Sequence, residues 1–145
     1  MILVDVNLLI YAVNEDAPEH RVIREWLEKT LSSGEEVGFA WVVLLAFLRL
    51  TTRQGLFTKP LPVKTAFELM ESWLEQPAAS VVHPGPKHFT LLRKLLEDSG
   101  TGGNLTTDAH LAAMAIERDA ELCSLDRDFA RFAGLRWRNP LLKKS

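Results

Sequence analysis

Four aspartates stand where side chains can gather. Asp5 closes the apolar run Ile2-Leu3-Val4, Asp126 and Asp128 follow the run Glu121 to Ser124, and Asp108 lies in the first turn of a helix after a loop. In open α/β sheets ligands bind at the carboxyl ends of the strands, so acids that end neighbouring parallel strands converge. Packed carboxylates repel one another, an arrangement best tolerated around a hard divalent cation; Mg2+ and Mn2+ take octahedral oxygen ligands and keep several waters. Beside a phosphodiester such an ion generates a hydroxide nucleophile and neutralises the leaving oxygen. Each acid also has a plainer reading. An Asp after a strand is commonly a turn residue, Asp108 suits the positive end of a helix dipole, and Asp128 before Phe129-Ala130-Arg131-Phe132 can cap a single turn. Co-occurrence at three strand or loop ends favours the metal, but spacing alone leaves both readings open.

The bases fall in two places. Arg127, Arg131, Arg136, Arg138, Lys143 and Lys144 crowd the C-terminal end beside the last acids, and Arg49 and Arg53 lie one helical turn apart. A basic rim around an acidic pocket would hold phosphates outside and metal inside; simple solvation explains charged ends equally well. His20, His83, His88 and His110 show no zinc spacing, and the lone Cys123 offers no thiolate set. Gly100-Thr101-Gly102-Gly103 lacks the lysine and preceding strand of a phosphate loop.

The elements that must position these groups alternate. Apolar runs at Ile2–Val4, Val37–Ala40, Ser80–His83 and Glu121–Ser124 read as strands, with one more short edge strand in Leu135 to Arg138. Between them, helical spacing covers Leu8 to Val13, Pro18 to Leu31, Trp41 to Arg53, Val63 to Leu74 and a stretch marked by Phe89, Leu92, Leu95 and Leu96. A last helix from Asp108 to Arg118 is capped by Thr106 or Thr107. Trp26, Trp41 and Trp73 lie on apolar helical faces and are assigned to the core, and Val22, Phe67 and Phe89 fall at apolar positions of their helices. Alternating helices and short buried strands imply an α/β fold, a parallel sheet between helix layers, in a single domain spanning 1–145.

With 145 residues, 47% hydrophobic and 25% charged, the chain is long enough to bury a core without disulfide or zinc. A net charge of −2 excludes a histone-like, tail-driven nucleic-acid binder. The longest apolar stretch, Phe39 to Leu48, is far short of the roughly twenty residues a membrane span needs, and the N-terminus is no signal peptide. A cytoplasmic protein fits these features.

Ile2-Leu3-Val4-Asp5-Val6-Asn7-Leu8-Leu9, Thr106-Thr107-Asp108-Ala109-His110-Leu111-Ala112-Ala113 and Ser124-Leu125-Asp126-Arg127-Asp128-Phe129, in that order, resemble the PIN-domain ribonucleases, and among them the VapC toxins of bacterial toxin–antitoxin pairs. The resemblance runs from Met1 to about Pro140. It implies a three-layer α/β/α domain with a short, mainly parallel central sheet, a Mg2+- or Mn2+-dependent endoribonuclease site, a VapB-like antitoxin, a homodimer, and transfer or ribosomal RNA as substrate. Matched residue by residue, Asp5, Asp108 and Asp126 are the catalytic and metal-binding acids. Asn7 and Thr107 match the polar neighbours that orient them, and Asp128 matches the aspartate of the closing Asp-Phe pair, a candidate supporting acid; by their place beside these acids, Arg127 and Arg131 are candidate RNA contacts. One position departs: Ala46 stands where the family commonly has a glutamate, which favours one well-held ion, bound by Asp5 and Asp108 partly through water, over two. The rival reading follows from the same position: a PIN-like module that binds RNA or a protein partner without turnover. A dehalogenase-type phosphatase would need an acid where Asn7 stands. The apolar helices at Trp41 to Leu50 and Val63 to Leu74 carry more hydrophobic face than one core buries, as a second subunit or an antitoxin helix would require.

Overall fold

Parallel strands need long crossover connections, and helices between short apolar strands supply them. The computed structural model, which describes residues 1–142, runs β1 (Ile2–Val4), α1 (Val6–Val13), α2 (His20–Leu31), β2 (Val37–Ala40), α3 (Trp41–Thr52), α4 (Val63–Leu74), β3 (Ala79–Val82), α5 (His88–Ser99), α6 (Thr106–Glu117), β4 (Glu121–Cys123) and β5 (Arg136–Arg138). Lys143 and Lys144 lie outside the described residues. The sheet order is β3-β2-β1-β4-β5, and every pairing is parallel. With this order, the right-handed rule for parallel crossovers puts α1 to α4 over one face and α5 with α6 over the other. Packing follows this division: α1 against α2 and α3, α3 against α4, and α5 against α6.

β1 and β2 are buried throughout, as central parallel strands covered on both faces must be. The edge strands differ. β5 reads Arg136-Trp137-Arg138, a charged edge that discourages pairing with another chain. Gly38 on β2 lets three strands close up: a Cβ there would lie 2.5 Å from Leu3 Cδ2 and 2.9 Å from Val82 Cγ1. Phe39, Phe47, Leu8, Leu9, Ile23 and Leu122 fill the core.

Four expectations fail locally. α6 has no threonine cap. Its N-cap is Leu105, in helical rather than extended conformation, because a 3-10 turn over Gly103–Leu105 runs straight into the helix. The turn at Arg127–Arg131 is capped by Asp126, whose carboxylate accepts the Asp128 N–H, rather than by Asp128. Trp41 is 51% exposed and Phe89 77%, with Val22 and Phe67 also exposed, while Trp73 is buried. These helices have apolar stripes wider than the single face each lays on the sheet. Finally, the third strand is Ala79–Val82, which leaves His83 exposed just beyond it.

Candidate active site

The connection leaving β1 turns toward β2, and the one leaving β4 turns toward β5. A crevice therefore opens at the carboxyl ends of these two adjacent strands, the switch point where open α/β sheets bind ligands. Asp5 is the first residue after β1 and caps α1, its Oδ1 accepting the Val6 N–H at 2.8 Å. Asp126 leaves β4 three residues after Cys123, and Asp108 comes from the first turn of α6. Asp5, Asn7, Thr107, Asp108 and Asp126 line one cleft of about 250 Å³, whose remaining wall is α3 through Val42, Val43, Ala46, Arg49 and Leu50.

One buried hydroxyl holds the floor together. Ser124 is fully buried. Its Oγ donates to Asp5 Oδ2 at 2.7 Å and accepts from Asn7 Nδ2 at 3.1 Å and from the Asp126 N–H at 3.0 Å. A serine hydroxyl has one donor and two acceptor lone pairs, so every capacity is used. Asn7 also accepts the Leu125 N–H through Oδ1 at 3.3 Å, locking the segment after β4 to the start of α1. On the other side of the Ser124 backbone, Trp137 Nε1 donates to its carbonyl at 3.0 Å. Sequence reasoning passed over Ser124 as the end of a strand. The signal was available: a polar, hydrogen-bonding residue two places before Asp126, where a buried strand ends.

Carboxylate oxygens of Asp108, Asp126 and Asp128 come within 4.8 Å of one another. Asp128, assigned only a supporting part in the sequence, thus belongs to the acidic cluster, while Asp5 lies beside it with both oxygens already engaged. Asp108 has its carboxyl pushed up to about 6, first by burial and then by the negative charges of Asp126, Asp5 and Asp128, with Arg131 opposing. Burial also raises Asp5, against the hydrogen bonds from Ser124 and Val6, and the charge of Asp126 adds to the rise. Such mutual destabilisation of charged oxygens is what a hard dication relieves, and an all-oxygen donor set suits Mg2+ or Mn2+.

Of the proposed RNA contacts, Arg131 and Arg127 are both exposed, and Arg131 lies 3.6 Å from Asp128. Arg136 and Arg138 are turned elsewhere, paired with Asp119 at 3.5 Å and Glu121 at 3.2 Å, at the other end of β4. Two residues beyond Asp108 on α6, His110 Nδ1 meets His88 Nε2 of α5 at 2.9 Å in the interface between these helices. These two histidines pack against each other edge to face.

Comparison with known proteins agrees with this architecture. The PIN domain family profile matches residues 2–135. Ribonuclease VapC37 of Mycobacterium tuberculosis is 48% identical over 140 residues, covering 97% of each chain. Ribonuclease VapC33 of the same species is 42% identical over 141 residues, covering 97% of this chain and 99% of its own. Among solved structures, VapBC2 from Rickettsia felis bound to a promoter DNA fragment aligns with a TM-score of 0.72 at 20% identity, covering 96% of this chain and 98% of that one. VapBC-1 from nontypeable Haemophilus influenzae gives 0.70 at 17% identity, covering 97% and 98%. The two structures share the fold, and the sequence relatives carry the match further: this chain belongs to the PIN-domain family and, within it, groups with the VapC ribonucleases.

Proposed function

We propose that this protein is a divalent-cation-dependent endoribonuclease toxin, its residues 1–145 acting as one PIN domain, held in check by a VapB-like antitoxin. The observation that carries the reading is the convergence of Asp5, Asp108, Asp126 and Asp128 at the switch point between β1 and β4. Asp108, Asp126 and Asp128 would hold Mg2+ or Mn2+, with Asp5 contributing directly or through water. Bound there, the cation would supply the acidity that makes water nucleophilic at neutral pH and the charge that stabilises a phosphodiester's leaving oxygen. The chain's own part is to fix these acids. Ser124 and the Val6 N–H hold Asp5 by one donor on each oxygen, leaving a lone pair free on both. Asp126 is fixed by the Ser124 contact to its N–H and by its own bond to Asp128. Thr107 shares the cleft wall with Asp108, and Arg127 and Arg131 would hold flanking phosphates.

The partner proposed is an apolar antitoxin segment or a second copy of the chain, covering the exposed Trp41, Leu45, Val63 and Phe67 of α3 and α4. Among the described residues no helix is long and apolar enough to cross a membrane, which suits a cytoplasmic toxin. Ala46 in the cleft wall favours the second reading, a catalytically weak or inactive binding module. Total cellular RNA incubated with antitoxin-free protein, with and without Mg2+ or Mn2+, and with the Asp108→Asn variant, separates the two. Discrete fragments that need both cation and Asp108 are expected, and their ends would name a transfer or ribosomal RNA target. Cleavage retained in Asp108→Asn would overturn the mechanism, and no cleavage at all would favour the binding module.

A further inference from the structure

We propose that Arg49 is a phosphate-holding residue, taking on the α3 wall of the cleft the charge-balancing part that no acid-bound second cation can play there. This rests on the nuclease reading above. The sheet order places β2 on one side of β1 and β4 on the other, so α3, which starts directly after β2, flanks the cleft opposite the Asp126–Asp128 segment. The wall α3 turns to the cleft is Val42, Val43, Ala46, Arg49 and Leu50, with Val42, Ala46 and Arg49 spaced four and three apart on one helical face. None of the five side chains offers an oxygen to a metal. Arg49 alone among them carries a fixed positive charge.

Among the described residues no side chain pairs with that charge. The sequence of α3, Trp41-Val42-Val43-Leu44-Leu45-Ala46-Phe47-Leu48-Arg49-Leu50-Thr51-Thr52, contains no acid, so Arg49 has no partner one turn away. By contrast Arg21, Arg24 and Arg93 on α2 and α5 each pair with a glutamate four residues on. Among the described residues no carboxylate lies within 4.0 Å of Arg49. An exposed, unpaired guanidinium on a rigid helix, bordering an acidic cleft, presents a planar donor fork to an anion in that cleft. A phosphodiester drawn toward a cation held by the aspartates would give one non-bridging oxygen to that side and the other to Arg49. Only a group lining the cleft can do this; Arg127 and Arg131 reach phosphates from the rim.

The test uses Arg49→Ala and Arg49→Lys beside Asp108→Asn. In steady-state cleavage of an RNA substrate with Mg2+, Arg49→Ala should lower kcat/KM roughly tenfold to hundredfold, the worth of a charge-assisted hydrogen bond pair, and Arg49→Lys should recover part of it. Independently of turnover, a labelled single-stranded RNA is bound in EDTA by Asp108→Asn with and without Arg49→Ala. Loss of one phosphate contact should reduce the slope of log affinity against log salt by about 0.7. If Arg49→Ala cleaves within twofold of the parent and the salt slope is unchanged while Asp108→Asn is inactive, Arg49 holds no phosphate and the nuclease reading stands. Equal loss in Ala and Lys variants with a lowered melting temperature would make Arg49 structural and overturn the inference. If Asp108→Asn still cuts, the nuclease reading itself falls.

Discussion

Replacing Ser124 by alanine removes a single oxygen and leaves three groups without a partner. The charge-assisted bond to Asp5 contributes about 1.5–3 kcal/mol, and each of the two neutral bonds, from Asn7 and the Asp126 N–H, contributes about 1 kcal/mol. The space vacated by one oxygen is too small to admit a replacement water, although Asp5, Asn7 and Asp126 are only half-buried and recover some hydration elsewhere. The net loss should be about 2–4 kcal/mol. For a chain of this size that corresponds to a fall of roughly 6–12 °C in melting temperature. Circular-dichroism melts in EDTA at pH 7 would measure it. The effect has a pH signature. The Ser124 hydroxyl favours the ionised Asp5 and lowers a carboxyl that burial otherwise raises. The charge-assisted part of its contribution is therefore present at neutral pH and is lost as the pH falls through the titration of Asp5, so the gap between parent and variant should narrow in acid to what the two neutral bonds contribute. A loss below about 1 kcal/mol, or a gap of constant size from pH 7 down to acid, would refute the idea that this hydroxyl ties the two strand ends through the charged form.

Other outcomes follow from the same geometry. The Asp108 carboxyl is raised from 3.8 to about 6, chiefly by burial and then by neighbouring charge. The folded state therefore holds extra proton, and cation-free stability should decline by about 1–2 kcal/mol, discounted for partial exposure, as pH rises through that window. Added Mg2+ should accordingly raise the melting temperature at pH 7.5 and do little at pH 5; equal shifts at both would place the ion elsewhere. Gly38→Ala forces a methyl against Leu3 and Val82 and should cost about 1–3 kcal/mol in urea denaturation; a neutral result would mean that the β1–β2–β3 spacing is loose. Burial pushes the Cys123 thiol up to about 11, against a hydrogen bond from Arg138. Alkylation of the native protein at pH 8 should be roughly a hundredfold slower than of a free thiol, and rapid labelling would show that β4 opens.

Much of this arrangement was legible in the residues. Buried strands betray themselves by unbroken apolar runs, and Ile2-Leu3-Val4 and Val37-Gly38-Phe39-Ala40 are strands as read. Asp5 and Asp126 stood out as candidates because they follow such runs, whose ends a parallel sheet brings together, and Asp108 because it opens a helix after a loop. Strand order is another matter. That β1 lies between β2 and β4 depends on packing across the whole chain, and with it the partner of Ser124, 119 residues from Asp5. Helical spacing also fails to say how wide a stripe the sheet will cover, which is why Trp41, read as core, faces outward, as does Phe89 at an apolar position of α5. Asp128 was underrated for a third reason: its carboxylate joins Asp108 only because the turn capped by Asp126 folds back toward α6.

The pairing of β1 with β4 has a consequence for the order of synthesis. Asp5 is made among the first residues, but the serine that fixes it and the acids that complete its cluster come more than a hundred residues later. A growing chain therefore carries no assembled acidic centre until β4 and the turn after it have emerged, and a chain interrupted anywhere before β4 never acquires one. For a protein whose relatives are ribonucleases, that is a built-in delay: more than a hundred residues separate the synthesis of the first acid of the centre from that of the others.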